Sequence, residues 1–187
     1  MKKAVPLCVC LLALSFGSVA FAQSAKPEPH TLTGDLDRAV AGVEKEFVPA
    51  AEAMPEEKFS FAPTNGEFKG VRTFDQQVKH VAAVNYMIGA AILEEKPPVD
   101  LGGEDGPASV KTKAQSVQFL KDSFAYAHKA VATINQNNLV GEIKSPFGSG
   151  TTTRLSMAVI LVGHCFDHYG QIVEYLRMNG IVPPASR

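Results

Sequence analysis

The fold of this chain is decided by a stretch near its end, residues 153–180, which read TRLSMAVILVGHCFDHYGQIVEYLRMNG. Apolar residues recur in it at steps of three and four positions, which is the period of an amphipathic α-helix. Gly180 follows the last periodic residue and Pro183-Pro184 stands shortly after it, so the helix must end there. The pattern therefore predicts one long helix over residues 153–179.

Two histidines and a glutamine interrupt the apolar stripe of this helix. At about 100° per residue, His168 lies about 40° from His164, and Gln171 lies about 20° from His164 on the other side. An i, i+4 pair places two imidazoles side by side, close enough to bind one metal ion. Gln171 is a candidate to hydrogen-bond a ligand, a metal-bound water, a neighbouring backbone group or a histidine ring nitrogen.

Helical spacing of apolar residues recurs in three earlier segments, which predict helices over residues 34–53, 73–94 and 109–137. Thr73 and Gln76 have the spacing of a capping box at the start of the second helix. Connections rich in proline and glycine separate the helices, and no segment shows the sustained period-two alternation of a β-strand. The sequence therefore predicts an all-α fold, a four-helix bundle, without a sheet.

The predicted second helix carries another histidine, His80, on its inner face. Together with His164 and His168 it would give three nitrogen ligands and leave other coordination positions open. Three protein ligands with open positions are typical of catalytic metal sites, whereas structural zinc is usually closed by four. The sequence therefore predicts one divalent metal ion on these three histidines.

The same histidines also fit a polar core. A histidine on an apolar face is often a core residue hydrogen-bonded to a backbone carbonyl, and spacing alone does not decide between the two interpretations. His128 illustrates this, because it also falls on the inner face of its helix, between Phe124 and Val131. We interpret His128 as a packed residue, or as one that supports a ligand, and not as a ligand itself.

The residues around His164 exclude one familiar class of metal enzyme. A zinc protease with two histidines at this spacing needs a glutamate directly after the first, where this chain has Cys165. Cys165 lies about 100° from His164 on the helix, and we interpret it as a small buried residue that faces a neighbouring helix. Asp167 lies on the opposite side of His164 from His168, and we interpret it as a surface group or as a support for a ligand.

The N-terminus predicts export. Lys2-Lys3 precede an apolar run, and Ala20-Phe21-Ala22 has the small-residue pattern of a signal peptidase site. The run is too short for a comfortable membrane span, so the mature protein is expected in the periplasm or outside the cell, without stable membrane association. The predicted organisation is a signal peptide at residues 1–22, a flexible lead-in at 23–31 and one domain at 32–187.

Composition narrows the expected partners. Removal of the signal peptide takes away two lysines and no acid, so the formal net charge moves from −1 to −3. No basic run remains, which argues against nucleic acid and leaves an unknown small molecule as the expected substrate. Cys165 becomes the only cysteine, so packing or a metal, and not an intramolecular disulfide, must stabilise the fold.

The chain resembles the DinB-like family in two stretches. The closing signature is VGHCFDHYGQ at residues 162–171, followed by YLRMNG at 175–180. The middle of the chain is similar as well, with Met54-Pro55 well ahead of a helix that bears His80. The resemblance covers residues 32–184.

What the resemblance implies is a four-helix bundle with a three-histidine site on His80, His164 and His168 that holds zinc, nickel or iron. It also implies metal-dependent hydrolysis, or transfer reactions with low-molecular-weight thiols, and it implies homodimers. The export signal argues against a thiol-dependent transferase, because such an enzyme draws on a cytosolic thiol pool. We therefore expect a metal-dependent hydrolase, with a non-catalytic metal- or ligand-binding protein as the alternative.

Overall fold

The computed structural model describes residues 29–103 and 105–187. Each of the first two helices packs against both the third and the fourth, so the four form a bundle. The helices are α1 (Leu32–Ala53), α2 (Phe74–Leu93), α3 (Lys113–Val131) and α4 (Arg154–Met178). The predicted all-α four-helix bundle is confirmed. The predicted signal peptide, and most of the predicted lead-in, lie outside the described residues.

All four helices begin directly after a threonine whose hydroxyl caps the first turn. The hydroxyl accepts a hydrogen bond from the backbone N–H three residues further on, which has no partner within the helix. The capping residues are Thr31, Thr73, Thr112 and Thr153. The capping box predicted for α2 is confirmed, because the Gln76 side chain also accepts from the Thr73 backbone N–H.

One apolar core lies between the helices. Its large, fully buried side chains include Phe47 of α1, Phe74 of α2 and Phe124 of α3. The close approach of α3 requires Gly89 of α2, because a Cβ atom there would lie 2.7 Å from the ring of Tyr126. None of the helices in the described part of the chain combines the length and the hydropathy that a membrane span needs.

The third helix is shorter than the predicted range of 109–137. At its start, Thr112 forms a capping box with Gln115, which places the first helical residue at Lys113. Beyond its end, the Asn138 side chain accepts a hydrogen bond from the backbone N–H of Asn135 and donates one to a neighbouring carbonyl. Asparagine bonds of this kind compete with the helical pattern, so α3 ends before them.

The prediction of no sheet was wrong at one place. Strands β1 (Glu142–Lys144) and β2 (Thr151–Thr153) pair as an antiparallel two-stranded hairpin. Each strand has only three residues, which are too few to display a period-two pattern. Ile143 is the one buried residue in the two strands. The hairpin leads directly into α4, so it fixes where that helix begins.

His128 of α3 contacts α1 and does not face the other histidines. Its Nδ1 lies 2.6 Å from Oδ1 of Asp37, and its Nε2 lies 3.1 Å from Oε2 of Glu44. A neutral imidazole has one N–H, so only the protonated ring can donate to both carboxylates. Burial alone would lower the pKa of His128, but the hydrogen bonds and charges of the two carboxylates outweigh it and raise the pKa.

We expect His128 to make the stability of the bundle depend on pH. Because its pKa is higher in the folded protein, the stabilisation is fully present below the unfolded-state pKa and is lost as the pH rises through the folded-state pKa. Between about pH 5.5 and about pH 9, the free energy of unfolding should fall by up to about 1 kcal/mol more in the wild type than in His128→Gln. Denaturant titrations of metal-free protein measure this, with Asp37→Asn as a second variant, and parallel profiles would contradict it.

Candidate metal centre

Three histidines from two helices meet where α2 packs against α4. His80 lies on α2, and His164 and His168 lie one turn apart on α4. The ring centroids of His80 lie 5.0 Å from His164 and 4.7 Å from His168, and the two rings of α4 are 4.5 Å apart. One nitrogen from each ring can be chosen so that all three lie within 4.8 Å of one another. The residues singled out from the sequence are thus brought together in a group that could hold a metal ion.

The three rings differ in their exposure. His80 and His168 are buried, with exposed fractions of 8% and 6%. His164 is only partly buried, so solvent reaches the group at this ring. The group therefore lies at the edge of the α2–α4 interface, with two rings inside and one at the opening.

Burial keeps two of these imidazoles neutral. Burial, together with the charges that His168 and His80 would carry, lowers the pKa of His164 to about 3. Burial also lowers the pKa of His168 to about 4, together with His80 and the positive charge of Arg72. Near neutral pH these rings are uncharged, and a neutral imidazole has the free lone pair that a metal ligand needs.

The arrangement of the ring nitrogens is compatible with a shared ion. The Nε2 atoms of His80 and His164 lie 3.1 Å apart, close to the separation of two nitrogens that each bind one ion at about 2.0–2.1 Å. Nδ1 of His164 is the one buried side-chain nitrogen or oxygen in the described part of the chain without a hydrogen-bond partner. The hydrogen bonds of the His164 and His168 rings there go to side chains and not to backbone carbonyls.

A comparison with protein families adds independent evidence. The family model of the DinB superfamily matches residues 39–172, a range that includes all three histidines. The chain belongs to the DinB superfamily. No curated protein matches it significantly. DinB-like proteins bind divalent metals, so the family supports a metal at this group without identifying the ion.

In this member of the DinB superfamily, a buried glutamine that the sequence analysis missed orients His168. The Nδ1–H of His168 donates to Oε1 of Gln77 at 2.6 Å. The Gln77 amide donates to Oε1 of Gln171 at 2.8 Å, and the Gln171 amide donates to a carboxylate oxygen of Asp167 at 3.1 Å. All three donors point the same way. This series of hydrogen bonds holds the proton of His168 on Nδ1 and leaves its Nε2 with a free lone pair.

The hydrogen-bond series from His168 to Asp167 also shows what Gln171 and Asp167 contact. Gln171 does not bond the histidine ring directly, because Gln77 lies between it and His168. Asp167 is exposed and accepts the last hydrogen bond of the series. Gln77 lies three residues before His80 and so on the same side of α2, which is the signal by which it could have been found.

Cys165 faces away from the metal group, as expected. Its side chain is fully buried, and its Sγ donates to Oδ1 of Asn85 on α2 at 3.2 Å. Burial raises the pKa of the thiol to about 12, so it stays protonated and behaves as a small core residue.

Arg72 is a second residue that the sequence analysis missed. It lines a cavity together with Gln77 and Gln171, and its positive charge contributes to the low pKa values of His164 and His168. Its Nε donates to Oδ1 of Asp105 at 3.1 Å, and its backbone carbonyl accepts from the Tyr175 hydroxyl of α4 at 3.1 Å. Arg72 lies before the start of α2, outside any periodic pattern, so spacing carried no signal for it.

We expect Gln77→Ala to weaken metal binding. Loss of a hydrogen bond that orients a histidine ligand typically costs about 10- to 100-fold in metal affinity. Competition with a chromophoric chelator would measure the affinity, and circular dichroism would check that the variant folds. Gln118→Ala, which changes an exposed glutamine of α3, is the matched control and should bind like the wild type. Equal affinities for both variants would show that His168 needs no support from Gln77.

Proposed function

We propose that this protein is an exported metal-dependent hydrolase that binds one divalent ion through His80, His164 and His168. The observation that carries the proposal is the convergence of three imidazoles, with no fourth protein ligand among the described residues. Such a set leaves coordination positions for water and substrate, as catalytic sites do. Zinc, nickel and iron all accept imidazole ligands.

When bound, the ion would supply Lewis acidity, which lowers the pKa of a water and polarises a carbonyl or phosphoryl oxygen. The residues of the chain would hold the ion and orient the groups that bind it. Gln77 keeps the Nδ1 proton of His168 in place, so the other ring nitrogen stays free to coordinate. Arg72, paired with Asp105 on one side, would contribute positive charge to the surroundings of the rings, which favours substrates that carry or develop negative charge there.

Export is supported by the sequence before the bundle. Lys2-Lys3, the apolar run and Ala20-Phe21-Ala22 together form the pattern of a cleaved signal peptide. The mature protein would then act in the periplasm or outside the cell. This location disfavours a thiol-dependent transferase, which would need a supply of low-molecular-weight thiol.

A non-catalytic metal-binding protein is the alternative, and one observation favours it. Within the described part of the chain, no carboxylate joins the three imidazoles, so no general base is placed in the group itself. Asp167 follows close to His164 in sequence, but its carboxylate accepts a hydrogen bond from Gln171. Turnover separates the two candidates, because both predict metal binding.

We expect the purified protein, without a histidine tag, to hold about one divalent ion per chain. His168→Ala should lose the ion, whereas His128→Ala should keep it because His128 contacts α1 and not the group. At a free metal concentration 100 times the dissociation constant, the ion should add about 2.7 kcal/mol to the free energy of unfolding. Elemental mass spectrometry and thermal melts with and without chelator are the measurements. No metal after reconstitution would end the proposal.

We expect the metal-loaded protein to hydrolyse at least one class in a panel of esters, amides and phosphoesters. Chelation should abolish the activity, metal should restore it, and His168→Ala should be inactive while His128→Ala stays active. Inactivity across the panel with metal bound would favour the non-catalytic alternative.

A further inference from the structure

The side of α2 that carries His80 continues beyond it as the floor of a groove. Ala83, Val84 and Met87 follow His80 at helical steps, and the floor extends to Glu94 near the helix end. A cavity of 440 Å³ lies over Ala83 and Val84, and one of 770 Å³ lies over the later turns. The two cavities share lining residues, which are Met87, Leu101, Pro146 and Gly148. They therefore form one groove that begins a turn away from His80.

The walls of the groove are apolar and come from two loops. Leu101 belongs to the connection between α2 and α3, and Pro146 and Phe147 belong to the turn of the hairpin. Phe147 is 45% exposed at the rim, where an occupant of the groove would cover it. From Val84 to Glu94 the helix rises by about 15 Å. These dimensions and this lining suit a linear apolar chain.

The far end of the groove, away from His80, is charged. Glu94 is paired with Arg154, and Glu95 accepts from the Tyr126 hydroxyl at 2.7 Å and lies 3.4 Å from Lys129. Both carboxylates are therefore neutralised by neighbours outside the groove.

Two lysines of the same end have no such neighbour. Lys96 and Lys144 line the larger cavity and not the one beside His80. In the described ranges the side chain of neither lysine makes a hydrogen bond or an ion pair, and both residues are exposed. The far end of the groove thus offers two positive charges, and the end near the histidines offers apolar surface.

We propose that this groove binds a linear amphiphilic anion, with a carboxylate head at Lys96 and Lys144 and an apolar chain that runs along α2 toward His80. As a substrate site, the groove rests on the proposed hydrolase function, because the end of the ligand near the histidines would carry the bond to be cleaved. Binding of the amphiphile itself needs no catalysis and no metal.

Decanoate, decanol and acetate are the probes for this site. The chain contains no tryptophan, so Phe147→Trp introduces a single fluorescent reporter at the rim. In metal-free protein, decanoate below its micelle concentration should give a saturable change, decanol should bind more weakly, and acetate should give no change. Near-equal binding of decanol and decanoate would overturn the assignment of the head, and no saturable change would overturn the site.

Variants in the reporter background locate the two ends of the ligand. Lys96→Gln and Lys144→Gln should each weaken decanoate binding by up to about fivefold, the range of an exposed ion pair. Lys69→Gln, an exposed lysine outside the groove, should have no effect. Met87→Glu should abolish binding, because it places a carboxylate in the apolar floor, and its melting temperature would confirm that it folds.

The orientation and the link to catalysis are tested separately. Binding that requires added zinc and disappears in His168→Ala would place the head at the histidines and overturn the proposed orientation. Tight decanoate binding by a protein that hydrolyses nothing would leave the groove assignment standing and remove the hydrolase. Turnover that survives Met87→Glu unchanged would leave the hydrolase standing and remove the groove as its substrate site.

Discussion

The packing of α2 against α4 is the contact on which this molecule depends, because it brings polar groups of both helices together along one seam. Gln77 meets His168, His80 meets His164, and one turn further Asn85 accepts from Cys165. Apolar residues fill most of the remaining space between the helices. A seam of specific polar pairs permits only one register of the two helices, since a shift by a turn would leave buried donors and acceptors unpaired.

This polar seam would be costly if its members were charged or unsatisfied. Burial holds His164 and His168 neutral, and the amides of Gln77 and Gln171 pass the hydrogen bonding outward to an exposed carboxylate. The exception is Nδ1 of His164, which is buried and unpaired, a state that costs about 1–3 kcal/mol. The unpaired buried nitrogen therefore lies on His164, the ring nearest the solvent, which is where a ligand from outside can enter.

Much of this arrangement could be predicted from sequence, because helix period and spacing are local signals. The helices, and the inner faces on which the three histidines lie, follow from residues three and four apart. The meeting of His80 with the α4 pair is implied by the resemblance to the DinB-like family. The ends of α3 and the hairpin around Ile143 did not follow, because asparagine side chains and three-residue strands leave no periodic trace. Spacing places Gln77 on the same side of α2 as His80 but does not indicate its partner Gln171, 94 residues away, and Arg72 pairs with a residue 33 positions away without any periodic signal.

The same helix carries the metal group and the groove, which fixes the distance between them. α2 begins with a capping box and ends at Glu94 in the left-handed conformation, and most of its side chains are buried, so it has no internal hinge. A ligand whose head is held near Lys96 would therefore reach His80 across a span set by the helical rise of about 1.5 Å per residue. Lys96 lies in the connection after α2 and Lys144 lies in β1, so movement of these two segments would shift the head of the ligand but not the apolar floor. Selectivity for the length of an apolar chain would then depend on α2 for the floor and on these two segments for the position of the head.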